Sequence, residues 1–156
     1  MGAKVRSKLA LSLELEAFCH ATEDVGKVKQ AILNLIPEEL RSTYRDLVTS
    51  SLLEGYYGNP IVVLRLKVRG KKHASSILLR ILRSLSLTDI SELEASLREH
   101  MDNSGNLYLR LDKQLAYLGK VKLYWSDDVV RVKAKLTLEA RKTVETGGLG
   151  SLLEGS

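Results

Sequence analysis

The chain has 156 residues, enough for one domain with a sizeable core and too few for two domains of ordinary size. Hydrophobic residues make up 44% and charged residues 28%, a globular balance that excludes a disordered or membrane-embedded chain. Net charge is +5 and uneven: residues 61–156 hold 17 Lys/Arg against 11 Asp/Glu, whereas residues 1–60 hold 7 against 8.

Leu9 to Ala21 alternates. Leu9, Leu11, Leu13, Leu15 and Ala17 face one way and Ser12, Glu14 and Glu16 the other, which predicts a half-buried strand. The same acids interrupt the apolar run behind Lys4, Arg6 and Lys8, so a signal peptide is not expected. Thr22, with Glu23 and Asp24 behind it, opens a helix whose apolar stripe is Val25, Val28, Ile32 and Leu35. Pro37 ends it, because proline lacks the amide and clashes with the preceding turn. A short helical turn over Glu38–Thr43 and a strand over Asp46–Glu54 follow. Gly55-Tyr56-Tyr57-Gly58-Asn59-Pro60 is a loop.

Ile61–Arg69 alternates again, with Val62, Leu64, Leu66 and Val68 inward. Helices are predicted from Lys72 to about Leu85 and within Ser86–Met101, the second capped by Thr88. Asp102–Asn106 is a turn, and Leu107, Leu109 and Leu111 mark a strand. Val121, Leu123 and Trp125 read as the inward side of a further strand, hairpinned through Ser126-Asp127-Asp128 to Val130–Leu138. The order is β-α-β-β-α-α-β-β-β. That predicts an α+β fold with a largely antiparallel sheet and helices on one face. Residues 1–140 form the single domain, and 141–156, with Gly147, Gly148 and Gly150, read as a mobile tail unless Leu149, Leu152 and Leu153 dock as a short helix.

No catalytic constellation is apparent. Cys19 and His20 are adjacent, so on a strand they point to opposite faces. The single cysteine fits a reducing compartment, and no stretch approaches the ~20 apolar residues of a membrane span. A cytoplasmic location is therefore expected. Asp112, Asp127 and Asp128 read as turn and salt-bridge residues rather than metal ligands, and no cofactor motif is present. Two GxxG tetrads, 55–58 and 147–150, lack the helix–loop–helix setting of a KH domain.

What stands out is strand parity. Arg65, Lys67 and Arg69 are outward on one strand; Lys120, Lys122, Arg131, Lys133 and Lys135 are outward on the last two; Tyr108 and Arg110 are outward between them. Lys71 and Lys72 extend the first set. A cationic open sheet, with Tyr108 and Tyr124 available for stacking, points to RNA phosphates and bases. Glu14 and Glu16 are the acids placed to pair with it. The alternative is a protein-interaction module, a homodimer joined through exposed strand edges.

Three strings carry a resemblance: Phe18-Cys19-His20-Ala21-Thr22-Glu23-Asp24, Glu54-Gly55-Tyr56-Tyr57-Gly58-Asn59-Pro60-Ile61, and Gly105-Asn106-Leu107-Tyr108-Leu109-Arg110-Leu111-Asp112-Lys113-Gln114. In this order, over roughly residues 9–138, they resemble an archaeal family described as an RNA-binding protein and predicted exosome subunit. The resemblance implies an α+β fold like that of the ribosomal protein that binds five-S ribosomal RNA. It further implies a non-catalytic accessory role, with exosome or ribosome-associated proteins as partners. It supplies no catalytic residues. The matching positions are His20, Tyr56, Tyr57, Asn59, Arg110, Asp112, Lys113 and Gln114; Asn59-Pro60 sets a turn, Asp112 caps a helix reaching Lys113 and Gln114, and Tyr57 and Arg110 are the better candidates for a ligand surface.

Overall fold

A computed structural model describes residues 8–54 and 58–154. In chain order the elements are β1 (Ala10–Cys19), α1 (Val25–Asn34), α2 (Glu38–Arg45), β2 (Thr49–Glu54), β3 (Pro60–Val68), α3 (Lys71–Ser84), α4 (Leu87–Ala95), a 3-10 turn (Leu97–Glu99), β4 (Asn106–Asp112), α5 (Lys113–Tyr117), β5 (Val129–Leu136), α6 (Leu138–Gly147) and α7 (Gly150–Glu154). The strands form one sheet in the order β2-β3-β1-β5-β4, and every neighbouring pair is antiparallel. The predicted α+β class with an antiparallel sheet is what the chain adopts. None of the described helices is long and apolar enough to cross a membrane.

The core lies under one face of the sheet. Leu13, Leu15 and Ala17 of β1, Leu64, Leu66 and Val68 of β3, Leu107, Leu109 and Leu111 of β4, and Val130, Val132 and Ala134 of β5 are all buried. Period-two geometry delivers them to the same side. α1 and α3 cover them, both packing on β1. α1 contributes Val28, Ala31 and Ile32, and α3 contributes Ala74, Ile77, Leu78, Ile81 and Leu82, spaced as a helix face requires. Asp24 caps α1, accepting from Gly26 N at 2.8 Å. Ser86, not Thr88, caps α4 through Asp89 N at 3.0 Å.

Four further sequence expectations change. Leu11 is 44% exposed instead of inward, because the β1–β5 register shifts between Ala10 and Ser12 and inserts it as an extra residue. Buried Ser75 of α3 repairs that irregular start: its Oγ accepts from Leu9 N and Ala10 N at 3.1 and 3.0 Å. Trp125 is likewise not inward but 56% exposed.

Val121–Trp125 is not a sheet strand. Only Leu123 bridges, to Leu111, while Asp112 N donates to Lys122 O and Tyr124 N to Arg110 O. The segment therefore lines the outer edge of β4, and buried Asp89 of α4 holds it by accepting from Leu123 N at 3.1 Å. β5 pairs with β4 directly, and the connection between them carries α5.

The segment expected to be a mobile tail forms α6 and α7. Thr137 caps α6 by accepting from Ala140 N at 3.0 Å. Gly148 turns the chain at φ 75°, where a side chain would be strained, and a Cβ there would meet Glu94 Oε1 at 2.8 Å. Glu94 Oε1 then accepts from Gly150 N at 2.9 Å. Val144, Leu149 and Leu152 are buried and belong to the main core, so burial offsets the ordering entropy of the glycines. Deleting residues 141–156 should lower Tm markedly. Leu149→Ala alone should destabilise by about 2–5 kcal/mol in urea unfolding.

Candidate nucleic-acid interface

Among the described residues no helix packs on the opposite face of the sheet, and cross-strand register arranges its side chains in rows. One row runs Lys67 (β3), Glu14 (β1), Lys133 (β5), Tyr108 (β4). The next runs Thr49 (β2), Arg65, Glu16, Arg131, Arg110. Ser12, Lys135 and Asn106 form a third across β1, β5 and β4.

Glu14 and Glu16 sit between two basic columns, but they commit mainly to one arginine. Arg65 Nε lies 2.9 Å from Glu14 Oε1 and 3.1 Å from Glu16 Oε2, with a further close bond from Nη2 to Glu16. Its hydrogen bond to Glu16 raises an already high guanidinium pKa despite the opposing effect of burial. Arg65 is therefore engaged within the protein.

Arg110 and Arg131 are directly opposed like charges, an unfavourable cross-strand pair. Each turns away. Arg131 lies 4.9 Å over the Phe18 ring, with Nη1 buried and without a hydrogen-bond partner among the described residues. Arg110 donates to Ser126 O at 2.6 Å and approaches Asp127 at 3.4 Å.

Lys67, Lys133 and Lys135 are exposed and make no ion pair among the described residues. Lys133 lies 6.0 Å over the Tyr108 ring, and Lys135 donates weakly to Ser104 O at 3.4 Å. With Arg69 they border a depression of about 290 Å³.

The other expected residues separate from this set. Lys71 and Lys72 begin α3 beyond the end of β3. Lys122 turns to buried Asp89, 3.6 Å away, on the helical side. Lys120 lies in the loop after α5, its amide bonded to Leu115 O. Tyr57 lies outside the described residues, as do Gly55 and Tyr56. Tyr124 stands opposite Arg110 at the β4 edge and is 39% exposed.

Sequence reasoning missed Trp125, which stands beside His100 with ring centroids 5.4 Å apart. Its place in an alternating run suggested burial. Tyr108, Tyr124 and Trp125 thus give β4 and its edge exposed aromatic surface.

Tyr108 is held by the turn before its strand. Its hydroxyl donates to Asp102 Oδ2 at 2.8 Å, and Asp102 also accepts from Ser104 N, Asn106 N and Asn106 Nδ2. Those bonds, led by the Asn106 side chain, hold the Asp102 carboxyl well below the usual carboxylate range. The Asp102 bond pushes the Tyr108 phenol up.

A second cluster, around Lys113, is structural in geometry. Lys113 is 3% exposed, with Nζ 2.8 Å from Phe18 O, 2.8 Å from Glu23 and 2.9 Å from Asp128. Burial alone would raise the Asp128 carboxyl, but hydrogen bonds from Lys113 and Gln114 carry it down. Two of the strings singled out in the sequence therefore meet here. Asp112 caps α5 through Leu115 N at 2.9 Å. Cys19 Sγ faces the His20 and Glu23 carbonyls, and burial first, then Glu23, raises its thiol pKa. Among the described residues, no group of three or more His, Cys, Asp or Glu is arranged to hold a metal.

The fold is a helix-backed antiparallel sheet with an open basic face and exposed aromatic side chains at one edge. The chain belongs to the RNA-binding family, whose model matches residues 12–136. It is 36% identical over 128 residues to an RNA-binding protein of Pyrococcus abyssi, covering 81% of this chain and 82% of the relative. A crystal structure from Archaeglobus fulgidus, described under family model DUF54, matches with TM-score 0.71 and 30% identity over 82% of this chain and 87% of that one. A DUF54 protein from Methanothermobacter thermautotrophicus matches with TM-score 0.72 and 27% identity over 93% and 98%.

The Asp102 contacts generate a pH prediction. A carboxylate whose folded pKa is lowered stabilises fully above its unfolded value of about 3.9 and loses that contribution as pH falls through the folded value. The 102–106 turn should therefore stay closed to below about pH 4. The Tyr108 phenol should titrate above the ordinary value of about 10, and Asp102→Asn should return it toward that value, read from the Tyr108 Cζ shift by NMR.

Proposed function

We propose that the chain is a non-catalytic RNA-binding protein whose open sheet face holds single-stranded RNA. Phosphates lie along Lys67, Arg69, Lys133 and Lys135, and bases stack on Tyr108, Tyr124 and Trp125. The observation that carries this reading is that those lysines share one face, unpaired, while the nearest acids are committed to Arg65. Cations crowded on one face repel one another, and phosphate oxygens relieve that repulsion as counterions are released. Family membership supports the RNA part of the reading. The resemblance directs the search for protein partners to the exosome and the translation machinery.

Each phosphate contact on a single strand adds about 0.7 to the slope of log affinity against log salt, so four contacts give a slope of about 3. Lys67→Glu with Lys133→Glu should weaken binding by tenfold or more and flatten the slope, as measured by fluorescence anisotropy. Folding should survive, because both side chains are exposed. Unchanged affinity and slope would contradict the proposal.

A homodimer is the second reading, favoured by β2. All six residues of this edge strand are exposed, with Leu52 at 76% and Leu53 at 49%, and Glu54 is its only charge. Sedimentation should then show a monomer–dimer equilibrium that Leu52→Lys abolishes.

A further inference from the structure

Glu14 and Glu16 are out of place on a surface built only for phosphate, since each repels the ligand. They border a depression of about 380 Å³ together with Tyr108, Arg110, Arg131 and Lys133. The register sets its walls. Glu14 and Glu16 stand on β1, Tyr108 and Arg110 on β4, and β5 runs between them as the floor. The walls are two strand spacings apart, roughly 9–10 Å. The floor is clear because Arg131 folds onto Phe18 and Lys133 leans toward Tyr108.

The carboxylates are immobilised. Arg65 takes Oε1 of Glu14 and Oε2 of Glu16 from the far side, while Glu14 Oε2 and Glu16 Oε1 have no partner among the described residues. A ligand lying across β5 therefore meets acceptors on one side and cationic donors and an aromatic ring on the other. It must donate on the first edge and accept on the second. Among the four RNA bases only guanine presents two adjacent donors, N1–H and N2–H2, on its Watson–Crick edge, with the acceptors O6 and N7 beside them. Adenine and cytosine place an acceptor next to their amino group, and uracil flanks its one donor with two carbonyls.

We propose that this depression is a base-specific subsite for one unpaired guanine, read by Glu14 and Glu16 on its donor edge and by Lys133 on its acceptor edge, beside Tyr108. The site rests on the sheet-face reading of RNA binding and adds sequence selectivity to it. It also gives the two acids a role that phosphate binding does not.

The test is the binding of short oligouridylates carrying one central guanosine, adenosine or inosine, to the wild type and to Glu14→Gln, by fluorescence anisotropy at fixed salt. The wild type should favour guanosine over adenosine by about tenfold, the size of one bidentate base contact. Inosine, which lacks the N2 amino group, should lose most of that preference without any change to the protein. Glu14→Gln should bind guanosine and adenosine RNAs alike while its affinity for plain oligouridylate holds or rises. Equal wild-type binding of all three RNAs overturns the guanine site and leaves sheet-face binding standing. A Glu14→Gln protein that gains affinity for every RNA and keeps any wild-type preference also overturns it. Absence of binding to every RNA overturns both.

Discussion

β1 is flanked on both sides, by β3 and by β5, so each of its residues must face either the helical core or the open surface. Leu13, Leu15 and Ala17 take the core, where α1 and α3 close over them. Glu14 and Glu16 take the surface, where they meet Arg65 and Lys67 on one flank and Arg131 and Lys133 on the other. A shift of one residue would put two carboxylates under the helices, at a desolvation cost no nearby partner offsets. The same alternation therefore sets the register of the sheet, the side that carries helices and the charge pattern of the other side. Arg65, shared between both acids, locks that pattern and leaves the lysines outside it unpaired.

The two edges of the sheet are treated differently. The β4 edge is covered in sections: Tyr108 N donates to His100 O, and the Val121–Trp125 segment takes the rest. Single polar side chains hold these coverings. Asp102 closes the turn into β4, Asp89 anchors Leu123, and Lys113 ties the 20–24 loop to Asp128. Covering β4 in this way places Tyr124 next to Arg110 and Trp125 beside His100, adding aromatic surface at the β4 edge to that of Tyr108. Among the described residues nothing covers the β2 edge in this way, and its backbone stays open for pairing.

Much of this was legible in the sequence because β1, β3 and β5 alternate over most of their length, and α1 and α3 keep a clear helical stripe. The outward basic residues of β3 and β5 followed from the same period. Failures occurred where tertiary contacts override local pattern. Leu11 alternates correctly but is displaced by a bulge that nothing in Leu9–Leu13 announces. Val121, Leu123 and Trp125 alternate because the segment runs beside β4, yet only Leu123 is buried, and Lys122 is drawn to Asp89 across the layer. The glycines after Gly147 suggested disorder, whereas Glu94 and the buried Leu149 and Leu152 order that segment from outside it. The aromatic edge was least visible, since Trp125 occupies an inward position in a strand that does not form.

One face of the sheet is spent on the core and the other is left open, and it is this open face that we propose binds RNA. Titration of isotope-labelled protein with a short single-stranded RNA, followed through backbone amide and lysine side-chain NMR shifts, tests this most directly. The account predicts that the largest changes fall on Lys67, Lys133, Lys135 and Tyr108, with α1 and α3 silent. Changes concentrated on the helices, or confined to the β2 edge, would contradict it.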